Sequence, residues 1–299
     1  MRGRFPIAAA ACLYGCAAAF SFQAAPAQLL REGHLEEALA LYRQGVEKEP
    51  KSLAANMGAG TALDLLGRSG EARTYFEQAI KAAVKPAEQA QANRAMAISY
   101  GFSADCRGAE KYGRRAFDYF LALPDFYNAG EAADEVARLC IDAGDLNRAY
   151  DWYQRGYNAG IQEPDLSAAR ADLWSFRRAH ARARIAVRQG KTEEARKLVA
   201  QARALLDKGK IPEQEVYFPY LTGYVAFYSG DYAEAVKDLQ GALQNDPFIL
   251  CLMGQAYEKL GERAKALECY RKAARTTAHN PPAAMAKPFA TSRLQQSPN

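Results

Sequence analysis

Any chemistry in this 299-residue chain has to come from few candidates. Of its three histidines, His34 falls in a turn, His180 lies within a helical stretch and His279 belongs to the C-terminal tail. None stands in a metal-ligating pattern. Cys106, Cys140, Cys251 and Cys269 follow the first 25 residues at separations that match no metal site. No nucleophile elbow, phosphate loop, HExxH or dinucleotide fingerprint is present. Carboxylates are plentiful, but with no base or nucleophile beside them they read as solvated faces. The residues therefore predict no catalysis, no cofactor and no metal. An enzyme would have to be of an unfamiliar kind, centred on His180.

What the residue types do suit is recognition. Tyr217, Tyr220, Tyr224, Phe227 and Tyr228 fall at offsets of 0, 3, 7, 10 and 11, which is one helical face, with Gly223 and Ala226 on the other. Tyrosine buries apolar area and keeps a hydroxyl to offer. About one repeat earlier, Arg177, His180, Arg184, Val187 and Arg188 occupy the same positions, flanked by Arg178 and Arg182. A guanidinium fork there suits a carboxylate or phosphate. One repeat before that come Glu131, Asp134, Arg138, Ile141 and Asp142, mostly acidic. The three faces are expected to line one groove running from acidic to basic to aromatic, a polarity that would orient an extended peptide. Two plainer readings stand beside this: the rings pack into the core, and the arginines form a solvated face balancing Glu193 and Glu194.

The elements that position these faces come from a repeat of small residues. A Gly or Ala closes one helical stretch and an Ala opens the next five residues later: Gly33/Ala38, Gly67/Ala72, Ala104/Ala109, Gly144/Ala149, Gly190/Ala195, Gly230/Ala235 and Gly261/Ala266. The opening Ala recurs at intervals of 34, 37, 40, 46, 40 and 31 residues, the range of helical solenoids. Seven residues after it stand Gly45, Ala79, Ala116, Gly156, Ala202, Ala242 and Ala273; twelve before it stand Gly60, Ala97, Ala137, Ala183, Gly223 and Gly254. Small residues at these places let paired helices approach closely. A larger residue four after the Ala (Tyr42, Phe76, Tyr153, Val199, Leu239, Tyr270) fills between them, with Gly113 as the exception. Several units end at a proline: Pro50, Pro86, Pro124, Pro164, Pro212 and Pro247.

The pattern resembles the tetratricopeptide repeat, best in Tyr220 to Pro247 and in Leu250 to Ala273, with the units around Ala109 and Ala195 degenerate. The resemblance implies an all-α solenoid of about seven helix–turn–helix units in a right-handed superhelix, each touching only its neighbours. It assigns 26–276 to the array. It also implies a non-catalytic scaffold that holds a protein or peptide in the concave groove lined by the first helices. A carbohydrate- or peptidoglycan-associated binding protein is the alternative, with the tyrosines stacking on sugar rings.

Composition agrees with a folded globular chain: 49% hydrophobic and 24% charged. The net charge of +5 falls to +3 without Arg2 and Arg4, too mild to point to nucleic acid, and no zinc-finger or RNP pattern is present. Residues 1–25 read as an export leader: Arg2 and Arg4, an uncharged alanine-rich run, then small residues (Ala19, Ser21, Ala25) at which cleavage is expected. Leu13-Tyr14-Gly15-Cys16 resembles a lipoprotein box, apart from Tyr14, which makes Cys16 a lipidation candidate. The expected location is the periplasm or cell envelope, with membrane contact only through the leader or a lipid. Small buried thiols are the simpler reading of the cysteines, and a Cys106–Cys140 bridge is left open. Residues 277–299 are expected to cap the last unit through Met285, Phe289 and Leu294, and to end in disorder.

Overall fold

The computed structural model describes residues 25–296. Among them are fifteen α-helices and no strand. Seven hairpins run in chain order. They are 25–32 with Leu35–Lys48 (α1, α2), Leu53–Leu65 with Ser69–Ala82 (α3, α4), Pro86–Gly101 with Cys106–Ala122 (α5, α6) and Phe126–Asp142 with Leu146–Gly160 (α7, α8). Then follow Ala168–Arg188 with Thr192–Leu206 (α9, α10), Phe218–Tyr228 with Tyr232–Gln240 (α11, α12) and Pro247–Lys259 with Arg263–Ala274 (α13, α14). A last helix, α15, spans Pro281–Gln295.

The small-residue columns explain the stacking. All seven opening alanines are at most 1% exposed. The glycines twelve positions earlier leave room for the bulky filler. A Cβ on Gly60 would sit 2.8 Å from Phe76, one on Gly223 2.7 Å from Leu239 and one on Gly254 2.7 Å from Tyr270. Gly113, where a filler is missing, has an equally physical reason. Val136 of the next unit enters that space and would meet a Cβ at 2.3 Å.

Every hairpin turn uses a left-handed backbone. The residues are Gly33, Gly67, Gly144, Gly190, Gly230 and Gly261, with φ between 76° and 88°, and Ala104 with φ 51°. Only Ala104 bears the Cβ clash of that region. In three of these turns the next residue is an aspartate whose carboxylate caps helix B: Asp105 accepts from Gly108 N, Asp145 from Arg148 N and Asp231 from Glu234 N. Pro86 and Pro247 take the first position of the following helix, where the missing N–H has no partner to lose.

Two features go beyond the expected solenoid. Cys106, at the start of α6, is bonded to Cys140 near the end of α7, with Cα atoms 4.6 Å apart, so the buried-thiol reading is corrected for this pair. Cys251 and Cys269 are buried and form no disulfide among the described residues. The tail also does more than cap. Phe289 packs on Tyr270 of the last unit, ring centroids 6.0 Å apart. Earlier in the same segment, Ala283, Ala284 and Met285 pack with Leu65, Ile98, Phe102 and Leu139, which are leading-helix residues (Phe102 directly after α5). Thr277 donates to the Arg31 carbonyl at 3.3 Å. His279 lies between the rings of Phe76 and Phe102, with Nε2 2.8 Å from the buried Asp64 carboxylate. Residues 276–295 thus strap the inner side of the N-terminal units instead of only closing the C-terminal end. The reason is apolar area: Leu65, Ile98 and Leu139 face inward and need a cover. The leader, Cys16 included, and residues 297–299 lie outside the described residues.

Candidate functional site

The leading helices α7, α9 and α11 stand side by side, and their inward residues meet at one hollow of about 590 Å³. Asp134 and Arg138 come from α7, Arg177, His180 and Arg184 from α9, Tyr220 from α11, and Tyr217 from the end of the 3-10 turn Pro212–Tyr217 that precedes α11. The far side is closed by Asn245, Asp246 and Phe248, and by Thr276, Ala278 and Asn280 of the strap. Acidic, basic and aromatic positions spread over about 90 residues therefore share one space.

The remaining positions point elsewhere. Tyr224 and Phe227 are 1% and 9% exposed and belong to the core. The cause lies in α11 itself. Its sequence FPYLTGYVAFY is apolar on nearly all sides, and a helix of that kind is buried between neighbours, here α9 and α13. The five-ring wall is thereby reduced to Tyr217 and Tyr220. Arg188 turns into a separate knot, donating to the hydroxyls of Tyr224 at 3.3 Å and Tyr228 at 3.4 Å. Val187 and Ile141 are core residues. Arg178 stacks on Tyr157 and Arg182 pairs with Glu194, so neither joins the hollow.

Within the hollow, the charges are held very differently. Arg177 pairs with Glu131 and lies against Trp174 and Tyr127. Arg184 is only 6% exposed. It has no carboxylate partner; its guanidinium donates to the Tyr153 hydroxyl at 2.8 Å and to the Tyr220 hydroxyl at 3.5 Å. A buried cation satisfied by neutral oxygens keeps its charge, because an arginine does not deprotonate in proteins. Arg138, half-buried on the hollow wall, makes no hydrogen bond or ion pair among the described residues. Burial pushes the Asp134 carboxyl up to about 7, against the opposing pull of Arg177, Arg184 and Arg138. Burial also holds the His180 pKa well below the ordinary histidine value, helped by Arg184 and Arg138, so the ring is neutral. Tyr217's backbone carbonyl takes one ring nitrogen's hydrogen; Nε2 is buried without a partner.

This arrangement can bind: the Arg138 guanidinium, an unpartnered ring nitrogen and two phenols beside a buried cation converge on one space. Sequence reasoning missed Tyr153, which it placed only as a filler, and Phe248 and Asp246 at the start of α13. Tyr153 differs from fillers such as Phe76 and Leu239 by its hydroxyl, and that polar tip was the available signal.

Comparison with known proteins agrees with this architecture. The tetratricopeptide repeat profile matches residues 28–88 and 180–248, and a second tetratricopeptide repeat profile matches 247–280. The unmatched stretch holds the third and fourth hairpins, the two that the disulfide joins. Among solved structures, a tetratricopeptide repeat protein from Parabacteroides merdae is 16% identical, with 85% of this chain and 91% of that one covered and a TM-score of 0.51. The apo form of RapI is 10% identical, with 93% and 99% covered and a TM-score of 0.53. At such identities these likenesses show the fold alone. No curated protein matches the sequence.

Proposed function

Given that this chain belongs to the tetratricopeptide repeat family, whose members generally act as non-catalytic scaffolds, we propose that it is an interaction scaffold of the bacterial cell envelope that holds a peptide or protein partner at the hollow on its concave side. The observation that carries this reading is the convergence of α7, α9 and α11 on one space, with Arg138 free and Tyr217 43% exposed at its rim. Tyrosine and arginine are the residue types that anchor interfaces. Charge at the rim sets orientation and approach.

The strap limits how the partner is held. A peptide cannot run the length of the groove while residues 276–295 fill its N-terminal half. It engages the open part, between the fourth and seventh units. The envelope location is supported by the leader's composition and by the Cys106–Cys140 bond, since disulfides persist in oxidising compartments. Burial of Tyr224 and Phe227 leaves Tyr217 and Tyr220 as the rings on which a sugar could stack.

Affinity capture from an envelope fraction tests the reading. The wild-type protein is compared with a Tyr217→Ala/Tyr220→Ala variant and with Arg138→Glu. Loss of one specific partner in both variants supports it, and identical capture by all three contradicts it. Arg184 and Arg188 are poor probes, because their bonds to tyrosine hydroxyls make their replacement a stability experiment; Tyr220→Ala takes one such hydroxyl from Arg184, so the melting temperature of the double variant is measured beside its capture.

A further inference from the structure

We propose that the hollow takes a small carboxylate-bearing molecule of dipeptide size, whose carboxylate sits against Arg138 and the hydroxyls of Tyr153 and Tyr220 and whose N–H group meets Nε2 of His180. The inference rests on the hollow being the recognition surface and adds the class of ligand.

Four observations converge. First, Arg138 makes no hydrogen bond or ion pair among the described residues, although its charge reaches Asp134, Tyr153, His180 and Tyr220. A guanidinium on a hollow wall with no partner of its own is open to an anion. Second, Arg184 fixes the direction of two hydroxyl protons. Because the Tyr153 and Tyr220 oxygens accept from its guanidinium, their O–H groups are left to donate. The cation behind them strengthens those donors, as in any polarised chain of hydrogen bonds. Third, His180 Nε2 is a buried acceptor without a donor, in a ring kept neutral. Such an atom calls for an N–H or O–H from something that enters. Fourth, the space is about 590 Å³ and is walled by Thr276, Ala278 and Asn280 of the strap. That volume is in the range of small-molecule sites and is too small for a folded partner.

A carboxylate and an N–H donor in one compact molecule satisfy the unpaired groups together. A free amino acid or dipeptide has that chemistry. The same carboxylate could arrive at the end of a longer chain, and a longer peptide ending in the same residues separates the two sources.

Isothermal titration calorimetry of the purified protein with L-alanyl-L-tyrosine tests this. Three further arms are the C-terminal amide of that dipeptide, a longer peptide ending in the same two residues, and the Arg138→Gln variant with the free dipeptide. The free dipeptide is expected to bind, and the amide to bind about tenfold more weakly or worse, the size of one lost charge-assisted contact. Arg138→Gln should lose the same factor with an unchanged melting temperature, and the longer peptide should bind more weakly than the free dipeptide, whose size matches the space. The amide arm needs no mutation, so a misfolded variant cannot blur the result. Absence of dipeptide binding, equal binding of acid and amide, or equal binding of the longer peptide overturns the proposal. If the dipeptide fails while the Tyr217→Ala/Tyr220→Ala variant still loses a partner in capture, the ligand class is wrong and the scaffold reading stands. If capture is unaffected as well, both fall.

Discussion

His279 Nε2 lies 2.8 Å from Asp64 Oδ2, joining residues 215 positions apart. The Asp64 side chain is fully buried, and its other oxygen accepts from the Ser99 hydroxyl at 3.0 Å. This contact ties the C-terminal strap to the second unit. Its removal leaves a buried carboxylate oxygen unpaired, so His279→Ala should lower stability by about 2 kcal/mol in urea unfolding. Asp64→Ala on top of it should cost much less than it does alone. Additive losses would mean that the two residues act independently.

Ala104 is the one hairpin turn residue without glycine's freedom, at φ 51°. Ala104→Gly should relieve the Cβ clash of the left-handed region and stabilise the protein by roughly 1 kcal/mol. The same change at Ala109, fully buried in the helix pair, should destabilise. Chemical denaturation of both variants checks the contrast in sign.

The Cys106–Cys140 bond closes a loop with a sequence separation of 34. Constraining the unfolded chain over that length is worth about 3–4 kcal/mol. The Cys106→Ser/Cys140→Ser variant should show a loss of that order, and adding reductant to it should change nothing further. Reductant should bring the wild type down to the variant.

Asp142 on α7 is raised by burial to about 7, only partly opposed by Arg188. An unfolded Asp ionises near 4. Between those values the unfolded state has lost its proton and the folded state has kept it, so stability falls as pH rises from about 4 to about 7 and levels off above. Asp142→Asn removes that penalty. Its melting temperature should exceed wild type at pH 8, and the difference should vanish as pH approaches 4. A constant difference across this range would show that ionisation is not the cause.

Much of the fold was legible because it depends on side-chain size at fixed spacing. The Ala38 to Ala266 column and the seven turn residues all landed where their period put them, including the Ala104 turn. The site was legible only in part. Asp134, Arg138, Arg177, His180, Arg184, Tyr217 and Tyr220 do share a hollow. Tyr224 and Phe227 do not, because in an apolar helix residue types cannot tell an inward face from one buried between neighbours. The strap was invisible for another reason. Its anchors, His279 with Asp64 and Met285 with Leu65 and Leu139, join residues far apart in the chain with no shared period. The Cys106–Cys140 bond was open to sequence reasoning as a possibility of adjacent helices, but only coordinates could decide it.

Under the proposed function, recognition happens on the inward side of α7, α9 and α11. Hydrogen–deuterium exchange of the protein with and without its captured partner measures this most directly. Added protection is expected in 127–142, 177–188 and 217–224, with the outward helices α10 and α12 unchanged. Protection confined to those outward helices would contradict binding on the inward side.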